Sequence, residues 1–560
     1  MKILLAAVNA KYVHTALGVR ALRAYVGEDA VGIAEFTINE RVQDAVRAIY
    51  ERRADMVMFS CYIWNIEFIL KTAGSLKKIA PDTVIVFGGP EVSYDSVYYM
   101  EKYPFIDAVI RGEGEETLRD IIAHGLDTDG VTLRRDGRIA VNPDRPPVCS
   151  LDRLPFPYTD SELDEYKDKL MYYESSRGCP FRCSYCLSST VRGVRYRDIE
   201  TVKRDLKRFA EHGARVVKLT DRTFNADRRR ASELIGYLSS LSCRTQFHFE
   251  IAAELIDREL AERFRSAPGD RFLLEIGVQS TNAETLAAID RPADTERIAE
   301  AVRLLKGHAH IHLDLIAGLP YEDIGSFRRS FNEVMAMEPD VLQLGFLKLL
   351  RGTKLRGEAE KHGYRFTDEP PYEVLANRYI SYDELAELKS VEAALDRYYN
   401  SGCFSNALKY LSARYETPYG LYLDIAGYFE RRGGCGAGIS RRSLYAALAD
   451  MYGAGEDGAR FKDVLKLDYF IHTQNPSTPE WAAEPFDRRL LKQRFGIIER
   501  ALAEGSLSGY EGQPLKEIIK TVQVERFSYD VLGEGGRCGN IILFDKKYGR
   551  VIPVQRWDTG

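Results

Sequence analysis

The chain is 560 residues long, 45% apolar and 29% charged, with a net charge of −5 at neutral pH. That length calls for two to four domains rather than one core, and the composition is that of a globular protein. The charge argues against non-specific nucleic-acid binding, which needs clustered positive charge. No apolar run reaches the roughly eighteen residues of a membrane-spanning helix. The apolar opening Lys2–Val8 stops at Asn9 without a small-residue cleavage site, so it reads as a strand and not a signal peptide. The expected location is the cytoplasm, with no membrane partner. Nine cysteines are present, and three fall within residues 179–186. In a cytosolic chain such a cluster points to metal or redox chemistry rather than to a disulfide framework.

Residues 1–145 alternate between apolar runs and helical stretches. Strands are expected at Lys2–Val8, Val31–Thr37, Met56–Ser60, Thr83–Phe87 and Asp107–Ile110. Helices are expected over Thr15–Val26 and, capped by Asn39, through Arg52. The pattern predicts an α/β, doubly wound parallel sheet. Arg135-Asp136-Gly137-Arg138 reads as a hairpin turn. Five prolines between Asn142 and Tyr158 give a linker composition, set at 146–168. A second alternating region, 169–350, has strand candidates Tyr172–Ser176, Val216–Leu219, Gln246–Ile251, Phe272–Val278, His310–Ala317 and Val341–Leu347. Six strands with intervening helices suggest a (βα)6 partial TIM barrel, with active residues at the carboxyl ends of its strands. Residues 351–560 are tyrosine-rich and expected to be mostly helical, with acidic and basic residues in balance.

The chemistry concentrates in Cys179-Pro180-Phe181-Arg182-Cys183-Ser184-Tyr185-Cys186, just after the first barrel strand. Three thiolates at short fixed spacing suit an iron–sulfur cluster. With three ligands for four irons, one iron stays open to a small chelating molecule. A zinc knuckle is the alternative, but structural zinc needs four ligands, and the next histidine is His212. The segment resembles the signature of the radical S-adenosylmethionine (SAM) superfamily, with Tyr185 at its aromatic position. The resemblance implies a [4Fe–4S] cluster held by Cys179, Cys183 and Cys186. SAM would bind its open iron and be cleaved reductively to a 5'-deoxyadenosyl radical, with Tyr185 near the adenine. Further barrel segments resemble the family's SAM-binding motifs in the expected order, marking Asp221, Glu250, Glu275, Gln279, Ser280 and Gly318. The family's Gly-Gly-Glu motif is missing after the second strand, where Asp221 and Arg222 stand.

In open α/β sheets, ligands bind outside the carboxyl ends of the strands. Four such loops are candidates in residues 1–145. They offer Asn9, Lys11, Tyr12 and His14; Ser60, Tyr62 and Trp64; Gly88, Gly89, Pro90 and Glu91; and Arg111, Gly112, Glu113 and Gly114. Glycine loops let backbone N–H groups approach a ligand, and nucleotide or flavin would suit them as well as any cofactor. Gly-Gly-Pro and Arg-Gly-Glu-Gly-Glu ahead of the cysteines resemble the cobalamin-binding radical SAM proteins, in a subgroup with an uncharacterised C-terminal domain. The resemblance implies a Rossmann-like cobalamin domain stacked over the barrel mouth. The Asp-x-His-x-x-Gly motif that supplies a cobalt ligand elsewhere is absent; His14 is either a ligand or a hydrogen-bonding residue. Cys403 reads as a redox partner or as a small buried apolar residue. The arginines around Gly433-Gly434-Cys435-Gly436 form a basic patch or a solvated loop.

The function implied is a cobalamin-dependent radical SAM methyltransferase acting on an unactivated carbon of a small molecule or peptide. A flavodoxin or ferredoxin would be the electron donor. The alternative keeps both cofactors for a rearrangement or cyclisation without methyl transfer. A tRNA methylthiotransferase ranks lower, because only Cys61 and Cys149 stand in the first domain to bind a second cluster. A non-catalytic electron carrier or cobalamin sensor would not need a barrel.

Overall fold

The computed structural model describes residues 1–191, 193–291, 293–434, 438–474, 477–482, 488–533 and 537–554. The chain divides into two compact units, Met1–Leu385 and Ala386–Gly560.

The first unit opens with a seven-stranded sheet. Its strands are β1 (Ile3–Asn9), β2 (Val31–Thr37), β3 (Met56–Ser60), β4 (Val84–Gly88), β5 (Ala108–Ile110), β6 (Val131–Arg135) and β7 (Arg138–Val141). They lie in the order β2-β1-β3-β4-β5-β6-β7, parallel as far as β5 and antiparallel beyond. The near-continuous apolar runs follow from burial of both faces. Leu4, Ala6, Val8, Val57 and Phe59 fill one side, and Ile3, Leu5, Ala7, Met56 and Met58 fill the other. Asp136 and Gly137 both take positive φ, 48° and 75°, the signature of a two-residue hairpin turn. The helix expected to start at Asn39 runs over Val42–Glu51 with Arg41 at its cap position. There the turn is closed instead by the Glu40 side chain, which accepts from the Thr37 N–H at 2.8 Å.

The proline-rich strap is packed. Val148, Leu151 and Leu154 form a small buried cluster against Tyr25, and Asp160–Tyr166 is a helix with a Thr159/Glu162 capping box. Glu162 is also held by Arg20 at 3.0 Å and Arg23 at 2.5 Å.

The second sheet is the partial barrel. It comprises β8 (Leu170–Tyr173), β11 (Val216–Leu219), β12 (Gln246–Ile251), β13 (Phe272–Gln279), β14 (His310–Ala317) and β15 (Val341–Phe346), all parallel and in that spatial order. Aspartates 198, 227, 257, 294 and 323 cap the starts of its helices by accepting backbone N–H groups. The first expected strand, Tyr172–Ser176, is broken. After Tyr173 the chain leaves the barrel, and β9 (Ser176–Cys179) pairs antiparallel with β10 (Gly193–Tyr196) in a separate ribbon. The cause is the buried Asp221 carboxylate, which accepts from the N–H groups of Ser175 and Ser176 at 2.8 and 3.1 Å.

Residues 351–385, expected to belong to the C-terminal region, lie in the first unit. A short ladder of β16 (Arg365–Phe366) and β17 (Val374–Ala376) sits there, and Tyr364 and Asn377 both donate to the Gly318 carbonyl at the end of β14, at 3.0 and 2.9 Å.

The second unit is a set of helices followed by an antiparallel sheet that the sequence reading did not foresee: β18 (Val522–Tyr529), β19 (Arg537–Asp545) and β20 (Arg550–Val554). Cys403 is buried among the helices, with its thiol on the Ser401 carbonyl at 3.3 Å. Arg432 pairs with Asp450 at 3.0 Å and Arg442 bonds Ser477 at 2.9 Å; Cys435 and Gly436 lie outside the described residues. Among the described residues, no helix is long and apolar enough to cross a membrane.

Candidate functional site

The three cysteines sit on a loop fixed at both ends. Cys179 ends β9 opposite Gly193. Gly178 before it has φ +107°, and a Cβ there would run into the Gly193 carbonyl, so only glycine fits. Further on, the Ser184 N–H bonds the Ile289 carbonyl at 2.9 Å and the Ser184 carbonyl accepts from Leu355 N–H at 2.9 Å. The Cys186 N–H closes a turn on the Cys183 carbonyl at 3.1 Å. All three thiols are free of disulfides. Burial pushes the Cys183 thiol up, opposed by the Arg291 guanidinium 3.8 Å away. Among the described residues, no three His, Cys, Asp or Glu side chains converge as around a single ion. A cluster makes a different demand, since it spreads its thiolate ligands over separate irons.

On this loop and beside it, on β13, β14 and the turn that carries Arg291, the protein leaves polar atoms unpaired. Gln279 Oε1, Asp314 Oδ1, Arg291 Nε and Ser184 Oγ are buried without hydrogen-bond partners. Gln279 has φ +72°, and Arg291 reaches from the Gly277 carbonyl to Cys183. Buried polar groups are normally satisfied, so this set fits a polar ligand next to the cysteines. The free thiols and these groups suit a cluster with SAM.

The barrel interior continues this polarity. In a closed barrel the inner positions are filled by apolar layers. Here the inward alternation carries Tyr172, Lys218, His248, Glu250, Glu275, His312 and Asp314. Lys218 pairs with Glu275 at 2.6 Å, and His248 lies 3.1 Å from the same carboxylate. Burial alone would raise Glu275, but His248 and Lys218 bring it down to about 2. At Asp314 burial, then the charge of Glu275, outweigh Lys218 and Arg291 and push it up to about 8. Burial and the neighbouring His310 and His248 lower His312 to about 4. Burial also raises Glu250, whose contacts to Lys218 and Arg222 are long, at 3.7 and 4.0 Å.

Of the residues expected to bind SAM, Glu250, Glu275 and Gln279 line this interior, and Tyr185 is half-buried beside Cys183. Asp221 is spent on Ser175 and Ser176. Ser280 donates to Glu322 at 2.6 Å, and the Gly318 carbonyl is occupied by Tyr364 and Asn377. From sequence, Lys218, His248, Arg291 and His312 carried no assigned role, and Asp314 stood only as the first residue of the segment resembling the fifth-strand motif. For all but Arg291, which lies in a turn between two helices, the signal was a period-two polar face within strands otherwise read as core.

The loops of the first sheet meet at its carboxyl edge, where β1 and β3 form the topological switch point. The first loop joins the two sheets. The Leu170 N–H bonds the Val13 carbonyl at 2.7 Å, and His14 Nδ1 lies 2.6 Å from the Tyr172 hydroxyl. Burial, then Lys11 and Lys218, lower the His14 pKa. Asn9 donates to Glu35 at 2.9 Å. Lys11 is exposed, Tyr12 is 74% exposed and Trp64 is 48% exposed. Trp64 stacks on Tyr62 at 4.4 Å beside Ser60. The Gly88 carbonyl accepts from the Cys61 N–H at 2.7 Å, and Gly89 presses against the Cys61 backbone with φ +107° and no room for a Cβ. After Pro90, Glu91 accepts from Tyr99 and Tyr372 at 2.6 and 2.5 Å. Arg111 bonds Asp144 at 2.8 Å. Glu113, between Gly112 and Gly114, is taken by Arg177 and Arg195. The edge therefore offers two exposed aromatics, Lys11, and open space over Gly112, a fit for a large flat ligand. The carboxylates of Glu91 and Glu113 and the Arg111 guanidinium are committed to protein partners.

The B12 binding domain family matches residues 3–122, and the radical SAM superfamily matches residues 173–334, beginning at the strand before the cysteines. A protein family of unknown function, DUF4080, matches residues 360–544. The chain is a B12-binding radical SAM protein. Its cofactors are a [4Fe–4S] cluster, SAM and cobalamin. This B12-binding radical SAM protein is 27% identical over 488 residues to the cobalamin-dependent radical SAM methyltransferase TokK of Streptomyces tokunonensis, covering 77% of this chain and 70% of the relative. Its fold is similar to that of the cobalamin-dependent SAM radical enzyme OxsB, with a TM-score of 0.58 and 14% identity over 92% of this chain and 82% of that one. The radical SAM methyltransferase TsrM of Kitasatospora setae aligns with a TM-score of 0.55 and 17% identity over 66% of this chain and 80% of that one.

Proposed function

We propose that the protein is a methyltransferase that delivers a methyl group to an unactivated carbon of a small molecule or peptide. The observation that carries this reading is the similarity to TokK, a methyltransferase of the same cofactor class, over 77% of the chain. When bound, the cluster and SAM supply a hydrogen-abstracting radical and cobalamin supplies the methyl group. The chain's own task is positional, because a reacting carbon must be held between two cofactors. Cys179, Cys183 and Cys186 would hold the cluster; Gln279, Arg291 and Asp314 offer unpaired polar atoms to SAM. Tyr12, Tyr62, Trp64 and the backbone at Gly112 would hold cobalamin. The Lys218–Glu275 pair and the neutral His312 give the interior hydrogen-bonding groups for a polar substrate. An electron donor of the flavodoxin or ferredoxin class would reduce the cluster.

The reconstituted protein, given SAM with a trideuterated methyl group, a reductant and a metabolite extract, should yield a product carrying the trideuteromethyl label. Formation of 5'-deoxyadenosine with an unlabelled, rearranged product would overturn methyl transfer in favour of a rearrangement or cyclisation.

A further inference from the structure

The cluster loop begins on a ribbon too small to place itself. β9 and β10 have four residues each and belong to neither large sheet; an isolated two-stranded ribbon is marginal in water. Its position therefore depends on what it docks against. Arg177, the second residue before Cys179, lies directly opposite Arg195 in the ribbon register. Like charges facing each other across two strands repel, so this pair needs an anion. The first domain provides it. Glu113 accepts from Arg195 and lies 3.1 Å from Arg177, while Glu115 contacts Arg177 at 2.8 Å. Glu174 completes the set, at 2.7 Å from Arg177. Burial would raise Glu113, but the hydrogen bond from Arg195 and the charge of Arg177 hold it below the usual carboxylate range. The planar guanidinium fork suits such multiple carboxylate contacts in a way an ammonium does not.

We propose that Arg177 is a positioning residue: by clasping Glu113 and Glu115 it fixes the cluster-bearing ribbon on the cobalamin domain and so sets the separation of the two metal centres. The proposal rests on the cofactor assignment above. It gives the carboxylates of Glu113 and Glu115 the task of a clasp between domains rather than of a cobalamin contact. Displacement of reacting groups by about 1 Å costs about a hundredfold in rate, so such a clasp matters to a reaction shared by two cofactors.

The test uses the full chain, reconstituted with cluster and hydroxocobalamin and reduced so that both centres are paramagnetic. Pulsed electron paramagnetic resonance then reads the distribution of cluster–cobalt separations. The wild type should give one narrow distribution. Arg177→Gln and Glu113→Gln should broaden or displace it at unchanged iron, sulfide and cobalamin content, and Arg177→Lys should recover it in part. If Arg177→Gln fails to load its cluster, Glu113→Gln, which leaves the ribbon's own residues intact, decides. A distribution unchanged in Glu113→Gln and Arg177→Gln would overturn the clasp. Absence of cobalamin from the wild type would overturn it by a different route, by removing the cofactor assignment beneath it.

Discussion

Single side chains carry the most direct consequences. Replacing any of Cys179, Cys183 or Cys186 by alanine should abolish the cluster while leaving the protein folded, because the loop is also held by the Asp221 carboxylate and by Ser184 backbone bonds. Iron and sulfide analysis alongside circular dichroism checks this. Asp221→Asn has the opposite character. It puts an amide donor in place of either Oδ1, which takes both N–H groups, or Oδ2, which takes the Ser175 hydroxyl, and removes the charge that strengthens all three bonds. A buried donor left unpaired costs about 1–3 kcal/mol, so the thermal midpoint and the cluster content should fall together. Asp314 predicts a pH dependence. Its folded pKa of about 8 lies above its unfolded value, so the folded protein binds the extra proton. Its contribution is complete below the unfolded pKa and is lost as pH rises through the folded one. The cofactor-free wild type should therefore lose stability more steeply than Asp314→Asn between about pH 6 and pH 8 in denaturant titrations. Equal slopes would place the Asp314 pKa elsewhere.

At the scale of elements, the ribbon and the glycine turns are the sensitive parts. Gly178→Ala puts a Cβ against the Gly193 carbonyl at a φ of +107°. The backbone strain alone costs about 1–3 kcal/mol, and the variant should load little cluster even when soluble. The clasp gives a second consequence. Removing one partner of a fully buried ion pair costs about 3–5 kcal/mol through the charge left behind; the Glu113 clasp is half-buried, so Glu113→Gln should cost less than that but still lower the thermal midpoint more than Lys361→Gln, whose ammonium is exposed. Elements were also what the sequence showed best. The strands of both parallel sheets declared themselves by apolar runs bounded by turn residues, and Val31–Thr37, Val216–Leu219, Gln246–Ile251 and His310–Ala317 match the observed bounds. The first barrel strand misled because its end is set by Asp221, 45 residues from Ser176. The polar interior was visible as alternation in His248/Glu250 and His312/Asp314, but strands read only for their apolar content hide their inner face. Glu91 and Glu113 look like ligand groups in sequence, since nothing local reveals that Tyr372 and Arg195 claim them.

At the scale of the whole molecule, the division at Leu385 differs from the expected boundary at 351 because Tyr364, Tyr372 and Asn377 are bonded into the first unit. Residues 1–385 contain both cofactor regions and complete cores on both faces of the first sheet. A chain ending at 385 should fold and bind the cluster, as iron content and cooperative unfolding would show; failure to do either would show that residues 1–385 are not self-sufficient. That unit has a core of its own, with Ile497, Ile498, Val522 and Leu543 at its centre.

The measurement closest to the central claim uses full-length protein reconstituted without oxygen in the presence of hydroxocobalamin. Iron, sulfide and bound cobalamin are quantified, then SAM and a reductant are added and 5'-deoxyadenosine is assayed. The account predicts one cluster and one cobalamin per chain, with 5'-deoxyadenosine formed by the wild type and lost in Cys183→Ala. Well-folded protein that takes up neither cluster nor cobalamin would contradict it.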